Sequence, residues 1–465
     1  MKYAVLLPFA AAAAAFVIPD EATAKELVIE TERKAQETLS SWWDGAQTLG
    51  GDVRSFAEDT FDDAFDFFER QASIFNDRLQ DIEIESEIPD FFPSSDDDEG
   101  DTATDGKPGH GPRGHHGPQN LTVYQAIHAS NFTKKFAALV DEYPELVKTL
   151  NTTEANVTLF VPTDKAFEKI PDHHKKPPKE FIEKLIQYHV VPGFYPAGRV
   201  LAHHTLPTAL EEGALGDNPQ RLRVSVGIFG VRLNFYSKVV AVNVLTKNGV
   251  IHGLNSLLVP PPPAGSLISL FPSKFSTLLL AAEKTGLHEK AKDHPATKGL
   301  TIFAPTNRAF QKLGPGANAF LFNTEKGLHY LKALLFYHAV VNETLYSDEY
   351  YGKPGSDAEG EGKNGHHHLD LPTLLHGKPL SVDIARFHRI ITIKVNGRTK
   401  VSVQDALARD GVIHVVDSVL IPPHKHKGAW KEDEDSEIDV DELIERLEPI
   451  AESQSASASQ WVGEL

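Results

Sequence analysis

An internal repeat constrains the fold of this 465-residue chain more than any other feature of its sequence. The repeated blocks are, in order, residues 158–167 (TLFVPTDKAF) with 301–310 (TIFAPTNRAF), Tyr188-His189 with Tyr337-His338, and 248–260 (NGVIHGLNSLLVP) with 410–422 (DGVIHVVDSVLIP). Because the markers keep their order in both copies, they predict two consecutive domains of one fold. The spacing between markers is longer in the second copy, and residues 351–368 are predicted to form a flexible insertion there.

Each copy begins with helical periodicity and ends with strand-like runs. Residues 179–190 predict an amphipathic helix that ends at the Tyr-His pair. Further along, Asn248-Gly249 is typical of a two-residue hairpin turn, and Asp410-Gly411 repeats it. The strand-like runs are 222–226 and 238–244 in the first copy and 390–395 in the second. Helices followed by strands indicate an α+β domain with an antiparallel sheet.

These repeated blocks resemble the fasciclin (FAS1) family, whose markers are a strand followed by Pro-Thr-x-x-Ala-Phe, a Tyr-His pair and a terminal (Asn/Asp)-Gly-Val-Ile-His strand. The resemblance covers residues 119–262 and 264–424. It implies that each domain is a β-sandwich or wedge packed with several helices, and that the chain serves adhesion to cells or matrix. Secreted fungal members are the most similar in layout.

The family associates the Tyr-His pair with adhesion, so the resemblance makes four residues candidates for partner binding: Tyr188, His189, Tyr337 and His338. Physical chemistry offers a structural alternative, because a buried histidine needs hydrogen-bond partners and commonly fixes a helix end. We therefore expect structural imidazoles, with the tyrosines as the better contacts for a partner. His252 and His414 lie between apolar neighbours in strands and are expected to satisfy buried backbone groups.

The N-terminus predicts secretion. Residues 1–24 combine an early lysine with a short apolar run, which is typical of a signal peptide cleaved between 15 and 24. No lipid-anchor tail or membrane span is expected. A secreted chain also makes its sequons candidates for N-glycosylation, at Asn120, Asn131, Asn151, Asn156 and Asn342. Retention in the secretory or vacuolar lumen is the alternative location.

Acidic segments flank a basic body. Residues 25–105 carry 24 acidic and 6 basic side chains, residues 431–465 carry 12 and 2, and the segment between them has a net charge of +10. This pattern offers no general attraction for nucleic acid, and it makes self-association between arms and body a candidate interaction. The predicted flanks are an amphipathic helical arm at 25–88, a disordered Pro/Gly/His/Asp linker at 89–118 and an acidic tail at 425–465.

Catalytic chemistry finds little support in the sequence. The chain has no cysteine, which removes disulfides and thiolate sites, and it lacks the hydrolase, zincin, Walker and dinucleotide-binding motifs. We expect no cofactor and no catalytic residue. Histidine-rich segments offer weak candidates for metal binding at His110, His115, His116, His366, His367 and His368.

The sequence thus predicts a secreted, non-enzymatic protein that interacts with protein or glycan of the cell surface, cell wall or matrix. The alternative is an extracellular or lumenal binder of metal ions that uses the histidine-rich segments. Replacing those histidines by alanine separates the two hypotheses, because only metal retention should then be lost.

Overall fold

A computed structural model describes residues 120–168, 177–227, 230–287, 298–348, 365–375, 377–387, 390–423, 438 and 440–457. The predicted signal peptide, helical arm and linker lie outside the described residues. The model confirms two consecutive domains, each a curled seven-stranded sheet with helices packed against it.

The first domain opens with helices and closes with a meander of strands, as its sequence predicts. Its helices are α1 (Val123–Ala129), α2 (Lys134–Asp141), α3 (Pro144–Asn151), α4 (Asp164–Glu168), α5 (Lys179–His189) and α6 (Ala197–Leu201). Its strands are β1 (Val157–Pro162), β2 (Val190–Pro192), β3 (Thr205–Glu212), β4 (Asn218–Gly227), β5 (Gly230–Leu233), β6 (Ser237–Thr246) and β7 (Gly249–Leu254).

The second domain repeats this order after the prolines that end the first. Its helices are α7 (Ala264–Ser269), α8 (Pro272–Lys284), α9 (Asn307–Lys312), α10 (Pro315–Asn323) and α11 (Glu325–Tyr337). Its strands are β8 (Leu300–Pro305), β9 (Ala339–Val341), β10 (Gly365–Leu371), β11 (Leu380–Phe387), β12 (Ile390–Val395), β13 (Thr399–Ala408) and β14 (Gly411–Val416). Helix α12 (Val440–Ser457) follows in the acidic tail.

The strand order is β2-β1-β7-β6-β5-β4-β3 in the first sheet and β10-β11-β12-β13-β14-β8-β9 in the second. Most neighbouring strands are antiparallel, but β1 pairs with β7 and β8 with β14 in parallel. The expectation of an antiparallel sheet is therefore wrong for one strand pair in each domain. A parallel pair needs a long crossover, and everything between the first and last strands of each domain supplies it.

A glycine makes each parallel pair possible. A Cβ atom on Gly249 would lie 2.0 Å from the carbonyl oxygen of Val157, and one on Gly411 would lie 1.9 Å from that of Leu300. Any larger residue would force the strands apart, because these contacts are with backbone that cannot move aside. The glycine of the repeated Gly-Val-Ile-His block is therefore a requirement of the sheet.

Part of the predicted flexible insertion forms a strand. Residues 365–368, assigned to the insertion from their composition, belong to β10, which pairs with β11 along its whole length. The assignment was wrong because three histidines read as loop composition, although alternate residues of an edge strand can face solvent.

The acidic tail forms a helix that docks on the second domain. Helix α12 contacts α11 and α10, and it buries Leu443 and Leu447 completely in the domain core. At its exposed side, Lys326 Nζ lies 2.6 Å from Glu448 Oε1. This part of the tail is thus an added layer of the second domain.

Candidate functional site

The tyrosine of each Tyr-His pair fixes a hairpin turn from inside the core. The hydroxyl of Tyr188 donates to the carbonyl of Arg221 at 2.8 Å and accepts from Asn234 Nδ2 at 2.8 Å. Asn234 lies in the turn between β5 and β6 with φ +48°, a left-handed conformation that asparagine tolerates. The tyrosine therefore holds a turn residue that has a left-handed backbone.

The second domain repeats this arrangement. The hydroxyl of Tyr337 lies 3.3 Å from the carbonyl oxygen of Pro379 and accepts from Asn396 Nδ2 at 3.0 Å. Asn396 has φ +53° in the turn between β12 and β13. Burial raises the pKa of Tyr337 to about 12 and that of Tyr188 well above its ordinary value, so both hydroxyls stay protonated donors.

The histidine of each pair joins the helix end to the segment that leaves the last strand. His189 Nδ1 lies 2.7 Å from the carbonyl of Leu185, and its Nε2 accepts from the amide of Leu258 at 2.9 Å. Because a carbonyl only accepts, the proton is on Nδ1. His338 makes the same contacts, with Leu334 at 2.7 Å and Leu420 at 2.9 Å.

A second histidine in each domain, on the last strand, uses the opposite tautomer. His252 Nε2 donates to the carbonyl of Tyr195 at 2.9 Å, and His414 Nε2 donates to that of Leu345 at 2.8 Å. Each ring also stacks near a core phenylalanine, as His252 does with Phe160 at 5.3 Å between centroids. The expectation that these two histidines satisfy buried backbone groups is confirmed.

Burial keeps these four imidazoles neutral. It lowers the pKa of His189, His252 and His338 to about 4, and it lowers that of His414 as well. Protonation would place a charge in the core and remove an acceptor from a buried amide. None of the four rings is therefore available as a general acid or base at the surface.

The structure places Tyr188, His189, Tyr337 and His338 inside the domains, with exposures between 0% and 3%. This corrects the expectation that the tyrosines contact a partner directly. The sequence suggested exposure because a tyrosine at a helix end can point its hydroxyl to solvent. Here each hydroxyl is instead hydrogen-bonded to a turn that is distant in the chain. Any surface that these pairs influence consists of the loops they hold.

The histidine-rich strand β10 lies at the edge of the second sheet. His366 Nε2 and His368 Nδ1 lie 3.4 Å and 2.8 Å from the same oxygen, Oδ1 of Asp383 on β11. That contact raises the pKa of His368. Within the described part of the chain, no group of three or more His, Asp or Glu side chains is arranged to hold a metal ion. His110, His115 and His116 lie outside the described residues.

All five sequon asparagines are exposed. Two of them mark equivalent places in the two domains, at the end of the β1–β2 and β8–β9 pairs. Gly193 N donates to the carbonyl of Asn156 at 2.7 Å, and Asn342 N donates to that of Gly299 at 2.9 Å. The repeats therefore each carry a sequon at this end, on opposite strands of the pair.

Exposed apolar side chains of large size are Leu280 on α8, 43% exposed, and Phe387 at the end of β11, 60% exposed, among the residues whose burial is described. Phe387 follows Arg386, whose Nη2 donates to the carbonyl of Ala202 in the first domain at 2.7 Å. The hairpin end that carries Phe387 is thus held beside the contact between domains. No described helix is both long and apolar enough to cross a bilayer.

Sequence reasoning missed the side chains at the contact between the domains. Arg221 and Arg223 alternate along β4, and Asp348 lies in a loop of the second domain, all three buried or nearly so. The available signal was a pair of arginines that alternate with Leu222 and Val224 in a strand.

Comparison with known proteins decides the family. A model of the fasciclin domain matches this chain twice, at residues 131–260 and 273–422. The chain belongs to the fasciclin domain family. The two matches fall on the two domains described above, and α1, α7 and α12 lie outside the matched ranges.

The fasciclin-domain relatives include fungal proteins that match over both domains. Aurofusarin biosynthesis cluster protein S of Gibberella zeae is 32% identical over 67% of this chain and 80% of its own length. Fasciclin-like arabinogalactan protein elcF of Phaeosphaeria nodorum is 27% identical over 66% of this chain and 89% of its own length. A solved FAS1 domain pair from the insect cell adhesion molecule fasciclin I is 17% identical, with a TM-score of 0.30, and covers 62% of this chain and 96% of that one.

Proposed function

We propose that this fasciclin-domain protein is a secreted, non-enzymatic adhesion protein that holds protein or glycan at the cell wall or matrix. The observation that carries the proposal is that the polar side chains singled out by the family pattern serve the fold. All four residues of the Tyr-His pairs are buried and hydrogen-bonded within their domain. What the domains offer a partner is their exposed surface.

The surface beside the contact between domains is the best candidate for binding. Phe387 exposes 60% of its area there on a hairpin anchored by Arg386, and rigid aromatic side chains often dominate binding energy. Both domains contribute to this surface, so one ligand can touch the two of them at once. Removing such an anchor should weaken binding without unfolding the protein.

The test is retention of the purified full chain on isolated cell-wall and matrix fractions. We expect Phe387→Ser to reduce the apparent affinity about tenfold, the effect of losing roughly 1.4 kcal/mol of contact energy. Leu280→Ser is the matched control. Leu280 is also an exposed apolar side chain, but it lies on α8 and not on the hairpin end that Arg386 joins to the first domain. If no fraction retains either the parent chain or the control, the adhesion proposal is refuted.

N-glycosylation at the exposed sequons is part of this proposal. Asn120, Asn131, Asn151, Asn156 and Asn342 would carry glycans, and each is exposed. Expression in a eukaryotic secretory host followed by glycosidase treatment and mass spectrometry measures occupancy. Secretion into the medium in the same experiment tests the location, since retention in the lumen would leave the glycosylated protein inside the cell.

A role beside small-molecule biosynthesis is the second candidate function. It is favoured by the match to a protein named for the aurofusarin biosynthesis cluster, of which 80% is covered. On this hypothesis the chain would act as a binding partner in that process. Expressing it in a Gibberella zeae strain that lacks its own protein S tests the idea: restored aurofusarin production would support it, and unchanged loss would count against it.

A further inference from the structure

A buried carboxylate of the second domain sits in a nest of donors from the first. Asp348 Oδ2 accepts from the amides of His204 and Thr205 at 2.9 and 2.8 Å, and its Oδ1 accepts from the Thr205 hydroxyl at 2.6 Å. Arg221 Nη1 lies 3.4 Å from the same Oδ1. Asp348 is 6% exposed, so these contacts replace its water.

Asp348 lies on a loop of the second domain that hydrogen bonds from β13 and β14 of the same domain hold in place. His414 donates to the carbonyl of Leu345, and Asp405 Oδ1 accepts from the amide of Ser347 at 2.8 Å. The Ser347 hydroxyl also donates to Oδ2 of Asp405. Asp405 is 1% exposed and occupies a bulge of β13 with φ +58°. The position of the loop is therefore fixed by the sheet of its own domain, independently of its contact with the first domain.

Two arginines on β4 of the first domain contact this part of the second domain. The Arg221 guanidinium lies over the ring of Tyr346, 4.5 Å from its centroid, beside the Asp348 loop. The Arg223 side chain donates through Nε to the carbonyl of Gln404 at 3.0 Å and lies 4.1 Å from the ring centroid of Phe235. Gln404 precedes Asp405, so both arginines meet the stretches that carry the two buried carboxylates.

Further hydrogen bonds join the two domains. Gln220 Nε2 donates to the carbonyl of Ala408 at 2.9 Å, and the amide of Gly299 donates to that of Ala214 at 2.9 Å. Burying a charge without a partner is costly. Two domains joined only by a flexible linker would therefore leave such charges in water, whereas here they are buried and paired.

The two domains are copies, so each residue of the contact has an equivalent position in the other domain. Leu345 corresponds to Tyr195, since each accepts from the histidine of the last strand. Counting along the loop from this pair, Asp348 corresponds to Gly198. In the same way Asp405 corresponds to Asn243, whose Oδ1 accepts from the amide of Ala197 as Asp405 accepts from Ser347. Neither acid is repeated in the first domain.

The arginines are not repeated in the second domain either. Arg221 corresponds to Pro379, because each carbonyl faces the hydroxyl of the paired tyrosine. Arg223 corresponds to Ser381, because each amide donates to the asparagine of the hairpin turn. By strand register the position of Thr205 is taken by Asp370, an exposed acid. The equivalent positions therefore lack this charge complementarity.

We propose that the arginine edge of the first domain, Arg221 and Arg223, recognises the acidic loop of the second, Asp348 with its support Asp405, and holds the two domains in one fixed orientation. The contact is keyed by these four charged residues, whose equivalent positions in the other domain carry no charge. It gives the protein a surface of constant geometry that spans both domains.

The test measures the distance between the domains in the full chain by pulsed electron spin resonance. Because the chain contains no cysteine, Lys148→Cys in the first domain and Lys400→Cys in the second give labels at exposed positions only. The parent should show one narrow distance distribution. We expect Asp348→Ala and Arg221→Ala each to at least double its width, because each removes one side of the buried pair.

Asp370→Ala is the matched control, since it removes an exposed acid of the second domain away from the contact, and its distribution should stay narrow. Asp348→Asn keeps the size of the side chain and one acceptor oxygen, and it replaces Asp348→Ala if the alanine variant fails to fold by circular dichroism. Distributions of Asp348→Asn and Arg221→Ala as narrow as the parent's would overturn the proposal, as would a broad distribution in the parent itself.

Discussion

The four buried histidines show how much of a fasciclin domain depends on single neutral side chains. His189 and His338 carry the proton on Nδ1 and accept a backbone amide on Nε2, whereas His252 and His414 carry it on Nε2. In each case the ring connects segments distant in the chain. A second proton would break one of these connections, so the imidazoles couple the fold to pH.

Acidification between pH 6.5 and 4 should destabilise the protein. The pKa of His189, His252 and His338 is about 4 in the folded chain against 6.5 when unfolded, so the unfolded state binds more protons in this window. Stability is therefore full above pH 6.5 and falls on acidification by up to ~1.4 kcal/mol per pH unit for each such histidine. Urea denaturation at pH 7.5, 6 and 5 measures the slope.

A pair of variants isolates the contribution of one ring. His338→Gln should lower stability at pH 7.5 and also flatten the pH dependence, because one titrating group is gone. His329→Gln, at an exposed position of α11, should change neither. A midpoint that stays constant from pH 7.5 to 5 in the parent protein would contradict the linkage argument.

Sequence alone predicted that the imidazoles are structural, because a histidine between apolar neighbours must find internal partners. It did not predict the tautomers, which depend on whether the nearer group is a carbonyl or an amide. It also missed that Tyr188 and Tyr337 are buried. Their partners, Asn234 and Asn396, are turn residues whose closeness depends on the register of the sheet.

At the scale of secondary structure, the parallel strand pair is the feature most sensitive to side-chain size. Gly411→Ala should destabilise the second domain by about 3 kcal/mol, because the new methyl group meets the backbone of Leu300. Gly265→Ala is the control: it lies in α7, where an added methyl group would have no neighbour within 4 Å, and it should stabilise the protein slightly through helix propensity. Thermal unfolding of both variants makes the comparison, and equal midpoints would be the contrary result.

Helix α12 gives a second prediction at this scale. Leu447→Ala should cost about 3 kcal/mol of docking and core energy, since Leu447 is fully buried in the second domain. The tail should then become the first site cut in limited proteolysis. Asp441→Ala, at an exposed position of the same helix, should leave both stability and cleavage pattern unchanged. Undiminished protection in Leu447→Ala would show that the helix is held otherwise.

Element order was well predicted from sequence, and element pairing was not. The strand runs and the helix ending at His189 are local patterns, and they occur in the structure. The predicted Asn248-Gly249 turn is displaced by one residue, because Thr246 pairs with Gly249 and the turn residues are Lys247 and Asn248. The Asp410-Gly411 turn is displaced in the same way, since Ala408 pairs with Gly411. The parallel pairing of β1 with β7 is a long-range fact that periodicity does not carry. The docking of α12 was missed for a related reason, because its acidic composition hides two leucines that share one face.

At the scale of the whole molecule, the keyed contact should make the two domains unfold together. Calorimetry of the parent should show one main transition, whereas Asp348→Ala should separate it into two, because the remaining cores are independent. Asp370→Ala again provides the control. Two separate transitions already present in the parent would mean that the buried charges do not couple the domains.

The parallel pairing of the first strand with the last also has a consequence for biogenesis. Val157 pairs with Gly249, so the first sheet stays open until its last strand has left the ribosome, and such non-local closure is slow. The second copy brings a strand of nearly the same sequence, β14, that could compete for β1. Synthesis in order gives the first domain time to close before its rival exists, so a pause in translation between the copies would favour correct assembly, and refolding of the finished chain from denaturant would be the harder route.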